Sequence, residues 1–329
     1  MKNIKRALAL ILTLIFAFSL FSCTSASLPK ENDTCVATVN GKYEVSYDTY
    51  KYFYLNYAAI YDKADLEGEK RAETEAKIKK ETESAIINVY AVVDFAAKYG
   101  ITLDNEMVKS AAKVDIDSAI AQFETKGAYA EALKANYMTD SVFRFMMTLD
   151  ALEDQVFAVL TTGLGIIDNS DATVKAAIES DEFARITHVL ISHNNGFSDD
   201  KNLKTAEKVL RLAKNGEDFD SLIANYSNDY SMTPDGYYFT HGYMLEEIET
   251  AAFELEIGEI SEIVRTVNGY HIIKRLAKDP AYLEENFETL KAQYESCKFY
   301  SMIDEHAETL TVSVNESASE INTSLLTAE

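Results

Sequence analysis

The feature that most constrains this chain is a change of periodicity near residue 184. Before it, apolar residues recur at helical spacing. Tyr47, Tyr50, Tyr54, Tyr57 and Tyr61 follow a 3-4-3-4 pattern. A charged helix runs from about Glu69 into Ile86, Ile87, Tyr90, Val93 and Phe95 and stops at Tyr99-Gly100. Asp104 is placed to cap a helix through Val108, Ala111 and Ile116 toward Phe123, which Gly127 would break. Another helix spans Asp140 to Leu160. From Arg185 to Ile191 the sequence instead alternates and is β-branched, as a strand requires. Helices are predicted over Leu203–Lys214, from the Asp218 cap to Tyr226, and over Leu245–Leu255. A loop at 227–236 carries the turn Pro234-Asp235-Gly236. Strands at Ile260–Thr266 and Tyr270–Leu276 meet at Val267-Asn268-Gly269, a hairpin signal.

Helical spacing returns from Glu284 to about Thr309, followed by a strand over Leu310–Val314. The stripe Phe287, Leu290, Tyr294, Cys297 is too long for the small module alone to cover, so the economical packing is back onto the N-terminal helices. The strand at Val36–Val39, ended by Asn40-Gly41, and the one near Thr311 would then pair. The expected fold class is α+β: a small antiparallel sheet with helices, inserted in a mostly helical domain.

The first residues carry a different message. Lys2, Lys5 and Arg6 precede an apolar run from Ala7 to Phe21, the pattern of a secretory signal and too short to favour a permanent span. Its ending, Leu20-Phe21-Ser22-Cys23, resembles the bacterial lipobox, in which the cysteine is acylated and becomes the first mature residue. Phe21 is bulkier than that motif usually carries, and a plain signal peptide cut nearby is the alternative. The polar stretch from Thr24 to Asp33 reads as a tether. The net charge of −23 becomes −26 once the first 22 residues are removed, with 54 acids against 28 bases. Such a surface excludes nucleic acid and anionic headgroups as ligands. Cys35 and Cys297 are expected as two thiols rather than a bridge.

Several short motifs occur in order within the strand-rich block. They are Thr187-His188-Val189-Leu190-Ile191, Gly216-Glu217-Asp218-Phe219, Tyr226-Ser227-Asn228-Asp229, Gly242-Tyr243-Met244, Ala251-Ala252-Phe253, Gly258-Glu259-Ile260-Ser261 and Thr266 through Ile273. Each alone is weak; in this order they resemble a parvulin-type peptidyl-prolyl cis-trans isomerase domain. With the lipobox and the helical flanks, the whole chain is similar to the PrsA-type foldase lipoproteins, whose helical part is a SurA/PrsA-like chaperone domain. The resemblance implies a signal peptide at 1–22, a tether at 23–34, helical chaperone domain at 35–182, the parvulin domain at 183–278, and a C-terminal helix and strand at 279–329 that pack on the chaperone domain.

It also implies a site. His188 and His271 would face each other on adjacent strands, with Asp229 and Thr266 in the same hydrogen-bond network as catalytic residues. Met244, Ile248 and Phe239 would line a proline pocket, and Cys23 would carry the lipid. Without the resemblance, two histidines on strands are more often satisfied core residues. The expected activity is isomerisation of X–Pro bonds in unfolded exported polypeptides, outside the cell membrane, with no metal or other cofactor; a homodimer is possible. This chain departs from parvulins where they usually show a glycine pair and a leucine: it has Pro234-Asp235-Gly236-Tyr237-Tyr238, and the loop is about two residues short. Ile248 replaces a common aromatic. These departures keep open a catalytically weak holdase and a surface-binding lipoprotein that uses the module as scaffold. The segment from His193 to Asp200 offers Asn194, Asn195, Asp199 and Asp200 in place of a basic cluster, which argues against phosphate-dependent recognition.

Overall fold

Asn40 and Gly41 take left-handed φ values of 51° and 63° and, with Lys42, make a three-residue loop in which the Lys42 N–H donates to the Val39 carbonyl at 3.0 Å. They join β1 (Cys35–Val39) to β2 (Tyr43–Ser46), and β7 (Val312–Val314) pairs antiparallel with the other edge of β1, placing Thr38 opposite Ser313. The pairing expected of the two short strands is thus present. The computed structural model describes residues 26–327, so the signal segment and Cys23 lie outside the described residues.

Two compact units form. One contains the residues up to Leu164 together with those from Tyr300 onward, and the other is Gly165–Phe299, inserted in the sequence of the first. The first is built on α1 (Tyr47–Ala58), α2 (Arg71–Ala97), α3 (Glu106–Ile120), α4 (Lys126–Ala135) and α5 (Asp140–Ala158). Ser46, Thr125 and Thr139 cap three of these helices by accepting from the backbone N–H three residues on. Tyr50, Tyr54, Phe53, Phe143, Met146 and Met147 are all core, while Phe145 is half-buried.

Two sequence expectations fail here. Asn105, not Asp104, stands at the start of α3, and Asp104 instead pairs with Lys109 at 2.9 Å. Gly127 does not break a helix; it lies in the first turn of α4, a helix that no apolar period in the sequence marks.

The second unit opens with α6 (Asp171–Glu179), also unforeseen, and β3 (Phe183–Ser192). It continues through α7 (Asp199–Lys214), α8 (Phe219–Tyr226), β4 (Tyr237–Thr240), α9 (Glu246–Glu254), β5 (Val264–Arg265) and β6 (Gly269–Leu276). The sheet order is β4-β3-β6-β5, antiparallel throughout. The expected strand over 260–266 shrinks to Val264–Arg265, with Ile260 making only an isolated bridge to Lys274. Two glycines hold the sheet together. A Cβ on Gly236 would come within 2.2 Å of the Ile186 carbonyl oxygen, and one on Gly269 within 2.2 Å of the Ile191 oxygen. Both have positive φ, so only glycine allows β4 and β6 to lie this close to β3.

Alternation along the strands sorts the side chains onto two faces. Val189, Ile191, Tyr270 and Ile272 pack under α7 and α8 with Val209, Phe219 and Leu222. Ala184, Ile186, Phe239 and Ile273 meet Ile248 and Ala252 of α9 on the other face. Each fully buried side chain of this size contributes roughly 1.5–3 kcal/mol. The expected 284–309 helix is split at Asn286 into α10 (Pro280–Glu285) and α11 (Phe287–Ala307). Leu290 and Tyr294 of its stripe are buried with Val174, Ile178, Phe183 and Tyr238. Neither Cys35 nor Cys297 is in a disulfide. No helix among the described residues is long and apolar enough to cross a membrane.

Candidate active site

His188 lies on the same face of β3 as Ala184 and Ile186, and His271 on the same face of β6 as Ile273. The β3–β6 register sets His188 opposite Ile273 and Leu190 opposite His271, so the two imidazoles are diagonal neighbours on one face. Their ring centroids are 5.0 Å apart and their Nδ1 atoms 3.2 Å apart. Each residue is only 3% exposed. The other ring nitrogens point outward along the face: His188 Nε2 lies 2.8 Å from Asp229 Oδ2, and His271 Nε2 lies 2.9 Å from Thr266 Oγ1.

Asp229 is delivered by the segment after α8. The Asn228 N–H donates to the Leu190 carbonyl at 2.7 Å, Asn228 Oδ1 accepts from Ser192 N–H at 3.0 Å, and Ser227 Oγ accepts from Leu190 N–H at 3.2 Å. The loop is thereby stitched to β3 beside His188. Thr266 is held by the hairpin, its hydroxyl oxygen accepting from Asn268 N–H at 3.1 Å.

An ionised carboxylate only accepts, so His188 donates to it through Nε2, and with a single proton on its ring it leaves Nδ1 as an acceptor. His271 must then donate through Nδ1, and its Nε2 accepts the Thr266 hydroxyl proton. The result is one directional chain from Asn268 through Thr266, His271 and His188 to Asp229. Burial, and next the neighbouring His188, push His271 down to about 3. The hydrogen bond from His188 holds Asp229 far below the usual carboxylate range, against an opposing effect of burial and with help from Ser231 and Tyr237. A His271 without charge avoids the several kcal/mol that a buried unpaired cation would cost.

The four polar side chains expected at the site are therefore linked in one network. The three apolar ones are placed differently. Phe239 is 0% and Ile248 2% exposed, both in the cluster beneath α9. Met244 is half-buried and packs on that cluster from above. Its loop is clamped by Glu249, whose carboxylate accepts from the Met244 N–H at 2.7 Å and the Gly242 N–H at 2.8 Å. Phe253 is half-buried, packs edge-on against Phe239 and stacks on His241.

Two participants were not read from the sequence. The Tyr237 hydroxyl donates to Asp229 Oδ2 at 2.8 Å, with its ring edge-on to His188 at 5.7 Å. The Ser231 hydroxyl donates to Asp229 Oδ1 at 2.7 Å. The signal for Tyr237 was present but unread: Tyr237 and Phe239 alternate on one face of a strand, β4, that a Pro-Asp-Gly turn disguised as loop.

Comparison with known proteins shows what each part of the chain is similar to. Residues 188–277 match the model of the PPIC-type PPIase domain, and residues 1–157 match that of the SurA-like N-terminal domain. The foldase protein PrsA of Caldanaerobacter subterraneus subsp. tengcongensis is 29% identical over 285 residues, covering 82% of each chain. The foldase protein PrsA of Bacillus subtilis is 36% identical over 140 residues, 40% of this chain and 45% of that one. The crystal structure of PrsA from Bacillus anthracis aligns with 68% of this chain and 93% of its own at 21% identity, with a TM-score of 0.36. The chain therefore carries a PPIC-type peptidyl-prolyl isomerase domain behind a SurA-like N-terminal domain, and its relatives are PrsA foldases.

Proposed function

We propose that this chain isomerises X–Pro bonds in unfolded exported polypeptides at the outer face of the cytoplasmic membrane, tethered there by a lipid on Cys23. In this reading residues 1–22 are removed, 23–34 form the tether, and the isomerase module at 183–278 interrupts a chaperone domain drawn from 35–182 and 279–329, although the compact unit around the module is wider, Gly165–Phe299, and takes in α6, α10 and most of α11. The observation that carries it is the hydrogen-bond chain through Thr266, His271, His188 and Asp229, laid on the sheet face that also bears Met244.

The chemistry asks for no more than such a site. Rotation about a peptide bond must break amide resonance, a barrier of roughly 18–20 kcal/mol. For X–Pro it takes tens to hundreds of seconds, slow enough to limit folding. No bond forms or breaks, so the work is to grip the proline ring and to favour the twisted amide by oriented dipoles. Each ~1.4 kcal/mol of such preference is about tenfold in rate. Met244 would meet the ring, with Phe239 and Ile248 as the support beneath it, and the neutral histidine pair would present fixed dipoles under the rotating bond. For the chaperone function, a cavity of about 350 Å³ in the helical unit, lined by Tyr43, Tyr90, Val93, Leu103 and Phe145 together with Lys42, Glu44 and Asp104, is a place where an unfolded chain would bind.

The test is refolding of a client whose slow phase is proline-limited. Substoichiometric wild type is expected to shorten that phase, and the His188→Ala, His271→Ala double variant to lose this effect while still suppressing aggregation. Wild type that leaves the slow phase unchanged would overturn the isomerase reading. Suppression of aggregation alone would then support the holdase reading, which the near-complete burial of Phe239 and Ile248 favours.

A further inference from the structure

We infer that Tyr237 is a positioning residue for this site: with Ser231 it fixes the Asp229 carboxylate and so holds the histidine pair in a single proton arrangement. The inference rests on the isomerase reading above. Asp229 Oδ2 accepts from both His188 Nε2 and the Tyr237 hydroxyl, each at 2.8 Å. Asp229 Oδ1 accepts from the Ser231 hydroxyl at 2.7 Å and the Ser231 N–H at 3.0 Å, and the two hydroxyl oxygens are 3.0 Å apart. The carboxylate is thus closed in a ring of donors and cannot rotate without breaking two or more of them.

Orientation matters because of what lies on the far side of His188. Its Nδ1 faces His271 Nδ1 at 3.2 Å, a contact with room for one proton. If the carboxylate swings away, the His188 proton has no fixed acceptor at Nε2 and can move to Nδ1. Two N–H groups then point at each other, the pair separates, and Thr266 loses its alignment with His271. Tyr237 can do this because Gly236 lets the chain pass against the Ile186 carbonyl, which sets Tyr237 opposite Ile186 on β4. The residue that stood out as a departure is here a support for the network.

The groups that face Asp229 or the pair it orients are His188 on β3, Ser231 in the loop, Tyr237 on β4 and His271 on β6. Glu247 of α9 and His193, just past β3, act electrostatically on His271. Among them Tyr237 is the phenol whose removal leaves the charge count unchanged.

The experiment uses Tyr237→Phe in the full chain, which keeps the ring against His188. Isomerisation of a proline peptide, ¹⁵N spectra of the histidines, and a double-variant cycle with Asp229→Asn are measured. We expect kcat to fall about tenfold with KM within about twofold, the size of one lost charge-assisted hydrogen bond. His188 should change from one tautomer, protonated at Nε2, to a mixture. In the Asp229→Asn background the same substitution should cost less than about twofold, because its effect passes through Asp229. Ser231→Ala should reproduce the tautomer change in weaker form. An unchanged His188 tautomer in Tyr237→Phe, or an equal cost in both backgrounds, would overturn the inference. If wild type itself is inactive, the isomerase reading falls, and the tautomer spectra still decide whether Tyr237 holds Asp229.

Discussion

His188 and His306 each sit buried against an aspartate, and the two pairs differ at the next atom. In the inserted unit, His188 donates to Asp229 through Nε2 and turns Nδ1 to a second imidazole. In the helical unit, His306 reaches Asp94 through Nε2 at 3.0 Å, but its Nδ1 accepts from the Lys98 ammonium at 2.9 Å. Asp94 is also taken by Lys42 at 2.8 Å and the Tyr43 hydroxyl at 2.7 Å. Burial pushes Asp94 up, and hydrogen bonds from Lys42, Tyr43 and His306 more than offset it, leaving it at about 2. The polar chain around His306 ends on cations and ties the end of α11 to α2 and the first hairpin. That around His188 passes through a pair of imidazoles on the sheet face whose apolar cluster Met244 packs against. A histidine–aspartate pair reports burial; its outer partners decide between a staple and a site.

The largest expected difference is in acid. His271 is depressed from 6.5 to about 3 in the folded protein, so between those values the unfolded chain binds a proton that the folded one refuses. The inserted unit should hold its full stability above about pH 6.5 and lose up to about 1.4 kcal/mol per pH unit as pH falls toward 3. Asp94 has the opposite chemistry: its contribution is complete above about pH 4 and is lost as pH falls through about 2. Hydrogen exchange followed by mass spectrometry should therefore show β3 and β6 losing protection before α2 does. Loss of protection in α2 first would break the comparison.

A smaller effect separates staple from site directly. His306→Ala should destabilise the protein by about 2 kcal/mol, because it leaves Asp94 and Lys98 without their shared partner. Its isomerisation rate should stay within about twofold of wild type. A tenfold loss of rate would make His306 more than a staple.

The smallest effect concerns two aspartates that look alike in sequence. Asp218 accepts from the Ser221 N–H at 2.9 Å as a true helix cap, so Asp218→Ala should cost about 1 kcal/mol in chemical denaturation. Asp104, paired with an exposed lysine, should cost under about 0.5 kcal/mol.

That last pair shows where sequence reading stops. Both aspartates precede an apolar run, but only the surrounding backbone decides which side chain can reach a free N–H. The motif-bearing strands were legible because alternation and β-branching coincide in β3 and β6, and the glycine at 269 marks the close approach. β4 was not, because four residues after a turn cannot establish a period. With β4 went Tyr237, since its contact with Asp229 depends on register against β3. His188, His271, Asp229 and Thr266 came from the family resemblance, and spacing alone would not have joined residues 83 apart. The half-burial of Met244 above a sealed Phe239 and Ile248 reflects packing by α9, which no local pattern encodes.

Exchange NMR on a short peptide with both X–Pro isomers populated tests the central claim most directly. Added wild-type protein should speed interconversion of the two sets of signals, and the His188→Ala, His271→Ala double variant should lower that acceleration by about a hundredfold or more. Interconversion unaffected by wild type, or undiminished in the double variant, would contradict it.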